Sequence, residues 1–172
     1  MQTLWLQIDT TSMKNLKIIF IVFAFCISNV WAGDMETKNN ENNTITYEKA
    51  LQSYLVRANE GDAVWQMLAG IMYRDGKGTP QNYATAIHWF KLASAQGYEG
   101  GQYNLASMYA NGKGVAKDYV RAHMWANLSA RDGDTDAVKQ RDLFESRMTQ
   151  TQIAEAQKLA RECQARNFKN CD

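Results

Sequence analysis

The sequence predicts an all-α protein: a short right-handed solenoid of antiparallel helix hairpins, closed by a C-terminal capping helix. Three observations carry this reading. The chain resembles itself at a shift of 36 residues. Within each copy, small and apolar residues recur three and four apart between glycine loops, the spacing of one helical face. Near the end, Thr149-Gln150-Thr151-Gln152 has the pattern of a capping box, which opens a last helix.

The self-similarity needs no gap. Tyr73 meets Tyr109, Gly76-Lys77-Gly78 meets Gly112-Lys113-Gly114, Tyr83 meets Tyr119, Ala86 meets Ala122 and Trp89 meets Trp125. Leu92, Gly97, Gln66 and Met72 meet Leu128, Gly133, Gln102 and Met108. Unrelated segments would share only about two residues over such a window. Tyr47, Ala50 and Gly61 extend the register backward. The array is therefore a half unit at 47–61, full units at 63–98 and 99–134, and a partial unit with the capping helix at 135–171.

Before the array, Met13-Lys14-Asn15-Leu16-Lys17 is basic and Ile18 to Ile27 is apolar. Val30-Trp31-Ala32 then offers a small-x-small cleavage pattern. Together they read as a secretory signal peptide over 1–32, with residues 1–12 an extension upstream of a start at Met13. The rival is an uncleaved anchor, although the run is short of the roughly 20 residues a span requires. Cys26 follows Phe25, not the small residue a lipid-attachment site wants. Cleavage leaves 140 residues with 17 basic and 17 acidic side chains, a protein with no stable membrane insertion, in the periplasm or secreted. Residues 33–46 are polar and unpatterned, and are expected to form a flexible leader.

In each full unit a first helix (about Ala63–Arg74, then Gly100–Ala110) leads through the Gly-Lys-Gly turn to a second (about Tyr83–Ala95, then Tyr119–Arg131). Gly97 and Gly133 stand where a helix end takes a left-handed residue. Ala86, Trp89 and Ala93 share a face, as do Ala122, Trp125 and Leu128, so the tryptophans read as core between hairpins and not as ligand platforms. In the closing helix Ile153, Ala156, Leu159, Ala160 and Cys163 share one face. Glu155, Lys158, Arg161 and Glu162 back it, as the sealed end of a solenoid requires. Once Cys26 is removed, Cys163 and Cys171 remain. In an oxidising compartment the pair can close a disulfide, and elsewhere they stay free thiols.

Composition excludes several function classes. With 19 Lys and Arg against 18 Asp and Glu, the net charge is +1. A dedicated nucleic-acid binder shows a basic excess instead. His88 and His123 are the two histidines, are not repeat-equivalent, and have no ligand-spaced Cys or carboxylate, so no metal or cofactor is expected. No nucleophile elbow, zinc-protease or phosphate-loop motif occurs. Gly76-Lys77-Gly78 lacks the preceding strand of a phosphate loop, and its recurrence marks a turn. No enzyme activity is expected.

These residues resemble the Sel1-like repeat, a relative of the tetratricopeptide repeat. Tyr109, Gly112, Gly114, Val115, Asp118, Tyr119, Ala122, Trp125 and Gly133 fit its pattern. Gly70, Tyr73, Gly76, Gly78, Tyr83, Ala86, Trp89 and Gly97 fit it in the first unit, which departs at Ala69 and Asn82 where the family prefers Leu and Asp. The stretch from Met148 to Gln157 resembles the closing helix of small bacterial members. The resemblance implies a protein- or peptide-binding adaptor that uses the concave face of its first helices. Likeness to tetratricopeptide units places Tyr103, Ser107 and Asn111 on that face, with Met67, Ile71 and Asp75 as repeat equivalents. Arg74 joins the rim, and Lys139 and Arg147 continue the face into the partial unit. The alternatives are a module binding peptidoglycan or another wall polysaccharide, and a weak β-lactam hydrolase. Relatives of the latter kind carry a cysteine pair in each repeat, which this chain lacks.

Overall fold

The computed structural model describes residues 43–171. The expected signal peptide, and all but the end of the expected leader, lie outside them. Among the described residues the secondary structure is helical: α1 at 43–59, α2 Ala63–Asp75, α3 Tyr83–Ser94, α4 Glu99–Asn111, α5 Tyr119–Ser129, α6 Thr135–Glu145 and α7 Gln150–Ala165. The last residues of the expected leader, 43–46, are helical and form the first turn of α1.

Side chains fix most helix starts. Asp62 accepts hydrogen bonds from the Val64 and Trp65 amides, Asn82 from Thr85, Asp118 from Arg121 and Asp134 from Ala137, so each satisfies amides left open in a first turn. Thr149 completes its capping box. Its Oγ1 accepts from the Gln152 amide at 3.3 Å, and Gln152 Oε1 accepts from the Thr149 amide at 2.9 Å.

The repeated loops show why the repeat is written as it is. Gly76 and Gly112 end α2 and α4 in the left-handed conformation. The loops close identically: the amide of Asn82 reaches the Tyr73 carbonyl at 2.8 Å, and that of Asp118 reaches Tyr109 at 3.0 Å. The second loop glycine makes the contact between units. Gly114, at φ +74°, lies so close to α3 that a Cβ would stand 2.7 Å from Tyr83 Cβ. Gly78 presses in the same way on the backbone of Tyr47 and Glu48. A side chain at either position would meet both a backbone penalty and a clash.

Gly97 and Gly133 also have positive φ, but α3 and α5 end earlier, with Ala95 and Ala130 as their caps. A short turn separates helix from glycine, and across it the Tyr98 amide reaches the Ala93 carbonyl at 3.2 Å.

α2 packs on α3 and α4 on α5 as hairpins, and α3 packs on α4 to join them. Phe90, Leu105, Met108, Met124 and Trp125 fill the interior, with Ala86, Ala106, Ala122 and Ala126 where helices approach. Trp89 packs with Ala58 and Ala69 in a second cluster that ties α1 to the first hairpin. Both tryptophans are buried, as the repeat register implies.

The third unit starts in register and then breaks it. α6 ends at Ser146 in right-handed geometry, with no Gly-x-Gly loop. The connection to α7 is 146–149, against 76–82 and 112–118 in the full units. As a result α6 and α7 each pack on α5 and do not form a third hairpin of the same kind. α7 buries Ile153, Ala156, Ala160 and Cys163. A Cys163–Cys171 disulfide folds the C-terminal tail back, and Phe168 lies over Gly97.

Candidate functional site

The first helices α2, α4 and α6 lie side by side, and their spacing is not uniform. α2 and α4 are in close contact. Gly100, at the start of α4, leaves room for Met67, whose Cγ would be 3.5 Å from a Cβ there. One repeat later the same two places hold Asp136 and Tyr103. With bulk on both sides, α4 and α6 stand apart, and a groove of about 440 Å³ opens between them.

Helical periodicity supplies the walls. Tyr103, Ser107 and Asn111 are four apart on one stripe of α4. Lys139, Gln140 and Leu143 come from α6, and Arg147 from the short connection after it. Buried Phe144 forms the floor, and Tyr119 at the start of α5 closes one end. Gln140 crosses the groove: its Nε2 donates to Ser107 Oγ at 2.7 Å and to the Tyr103 carbonyl at 3.4 Å. Asn111 Nδ2 donates to the Ser107 carbonyl at 2.8 Å. Tyr103 is 36% exposed and Leu143 51%.

The groove is electrically polarised. Its mouth near the starts of α4 and α6 continues into a cavity of about 360 Å³ that includes Glu99, Asp134 and Asp136. There a hydrogen bond to Asp132, helped by partial burial and by the like charge of that carboxylate, holds the Glu99 carboxyl above its usual range. At the opposite end Arg147 Nη1 donates to Tyr119 Oη at 2.9 Å. The Arg147 guanidinium and Lys117 Nζ lie 5.9 and 4.9 Å from the Tyr119 ring centre. Hydrogen bonds from these two cations hold the Tyr119 phenol below its ordinary pKa, Arg147 first. Lys139 is paired with Asp136 at 3.3 Å.

Of the residues that the sequence places on the inner face, the structure gathers Tyr103, Ser107, Asn111, Lys139 and Arg147 around this groove. It does not bring Met67, Ile71, Arg74 and Asp75 there. Met67 and Ile71 are half-buried against the core, since α4 lies over them. Arg74 grips Asp75 at 2.7 and 3.1 Å and Asn104 Oδ1 at 2.6 Å, a clasp between α2 and α4. That clasp holds the Asp75 carboxyl below its usual range. Sequence reasoning missed Leu143, Gln140 and Tyr119. Leu143 is the repeat equivalent of Ser107, so the same 36-residue step finds it. Gln140 and Tyr119 are found only once the helices are packed.

The other chemistry-bearing groups lie elsewhere. His123 is buried inside α5, with Nε2 3.4 Å from Glu145 Oε2, and burial lowers its pKa. His88 lines a separate cavity with Lys91, Trp125 and Phe168. Among the described residues no three His, Cys, Asp or Glu side chains are grouped to hold a metal, and no helix is long and apolar enough to cross a membrane.

Comparison with known proteins agrees with this architecture. The Sel1 repeat model matches residues 66–98 and 100–134. Among solved structures, the chain is similar to c5321, a protective antigen of uropathogenic Escherichia coli strains with an SLR fold. The identity is 25% and the TM-score 0.68, over 73% of this chain and 27% of that one. It is also similar to a Sel1 repeat protein from Oxalobacter formigenes, with 32% identity and a TM-score of 0.54 over 57% of this chain and 40% of that one. The chain thus spans well under half the length of either structure. No curated protein matches it significantly. Two matched repeats, the loop glycines seated on the preceding tyrosines and the shared solenoid fold show that the chain carries Sel1 repeats over residues 66–134.

Proposed function

We propose that the protein is an exported, non-catalytic adaptor that holds a peptide segment of a partner protein in the groove between α4 and α6. Sel1-like repeats are generally protein-interaction modules. The observation that carries the reading is the groove itself, with an exposed Tyr103 and Leu143, a polar crosspiece in Gln140 and a cation at one end. Interfaces concentrate aromatic, apolar and Arg anchors of this kind. Export is supported by the basic and apolar pattern of residues 13–32 and by the Cys163–Cys171 disulfide, which an oxidising compartment maintains. The non-catalytic reading is supported by Ser107, the groove's hydroxyl nucleophile candidate, which faces the Gln140 amide and not a base.

The test is an affinity capture from cell-envelope extract, comparing wild type with Tyr103→Ala/Asn111→Ala. A protein recovered by the wild type and lost from the variant supports the adaptor. Recovery of wall polysaccharide in its place, or equal recovery by both, rejects it.

A further inference from the structure

The broken third unit shows what is missing from the groove. Over Tyr47 and Tyr83, the following unit lays the backbone of its Gly-x-Gly loop, and Lys77 and Lys113 hold their ammonium groups 5.9 and 5.6 Å from the rings. By register, Gln150 should play the glycine's part over Tyr119, but it is already the first residue of α7. The cation is kept, because Arg147 lies over the Tyr119 ring where a loop lysine would be. No Gly-x-Gly loop follows there, and Tyr119 is half-buried against Phe144.

Charge says what can lie there. Arg147 donates to a phenol and Lys117 stands beside the same ring. Among the described residues neither forms an ion pair, whereas Lys139 is already neutralised by Asp136. The other mouth stays net acidic: Arg131 pairs with Glu99 and Asp132, and Lys139 with Asp136, but Asp134 adds a further carboxylate.

We infer that the groove selects an acidic linear peptide, which places a carboxylate on Arg147 and Lys117, an apolar side chain on Leu143 and its backbone over Tyr119. In effect the partner supplies the loop that the third unit lacks. The opposite polarity of the two mouths fixes the peptide's direction, with its acidic end at Tyr119 and any basic residues toward Glu99. This rests on the groove being a peptide site.

The test is an array of nine-residue synthetic peptides probed with the full-length protein, with Arg147→Glu, with Lys117→Glu and with Tyr103→Ala/Asn111→Ala. Thermal melts confirm that each variant folds. Expected is a bound set enriched in Asp or Glu next to an apolar residue. Arg147→Glu should bind that set roughly tenfold more weakly, as loss of a charge-assisted contact implies, and Lys117→Glu should weaken it in the same direction. A bound set without acid enrichment, lost from the Tyr103/Asn111 variant yet kept by Arg147→Glu, overturns the acidic anchor and leaves the groove standing. No bound peptide, or a set that none of the variants changes, overturns both.

Discussion

Single residues explain the repeat through contact and charge. Gly114 and Gly133 both have positive φ, but a Cβ on Gly133 would meet nothing within 4 Å, while one on Gly114 would strike α3. Gly133→Ala should therefore cost only the left-handed penalty, about 1–2 kcal/mol, and Gly114→Ala distinctly more. Equal losses in chemical denaturation would refute the packing role of the loop. His123 gives a pH dependence. Burial holds its folded-state pKa below 6.5, opposed by Glu145, so the unfolded chain takes up the proton first as pH falls. Its contribution is therefore intact above about pH 6.5 and declines as pH drops through that value. The melting temperature should fall between pH 7.5 and 5.5 and fall less in His123→Gln. An identical slope in the two proteins would contradict this. The loop glycines were legible in the sequence because they recur. The burial of His123 was not, because it is out of register and depends on how α5 packs within the array.

Helices differ in how far the sequence determines them. The starts of α2, α3 and α5 and the ends of α2 and α4 were legible because each carries a capping side chain or a left-handed glycine, whereas α3 and α5 end before Gly97 and Gly133. α7 was legible from its capping box and apolar face. What could not be read is that α6 and α7 pack separately on α5, since the loss of the loop at 146–149 appears in sequence only as an absence of glycine. The groove follows from that break. α7 covers α5 through Ile153, Ala156, Ala160 and Cys163, so ending the chain at Thr149 uncovers α5 in an array already near the three-repeat minimum. Such a truncation should melt far below the full chain, and an unchanged melting curve would reject the capping role. The disulfide closes a short loop at the end of α7. Cys171→Ser should cost about 2–3 kcal/mol, or roughly 5–10 °C, as read by calorimetry under oxidising conditions.

At the scale of the molecule, a regular solenoid would bury its first helices against one another, as α2 and α4 do through Gly100 and the Arg74 clasp. This chain interrupts the regularity once and leaves an open, polarised groove at the interruption. Tyr103, Ser107 and Asn111 could be placed on one stripe because helical spacing sets them. That Met67, Ile71, Arg74 and Asp75 do not line the groove could not be read, because register alone does not say which pair of first helices closes. The proposed adaptor takes its partner between α4 and α6 and not on the outer face. The direct measurement is site-specific photocrosslinking in envelope extract, with benzoylphenylalanine replacing Leu143 in the groove or Leu92 on a second helix. Both positions are exposed. Expected is a discrete crosslinked protein from position 143 that is absent at 92 and is competed by excess unlabelled chain. The same adduct from 92, or none from 143, would contradict the account.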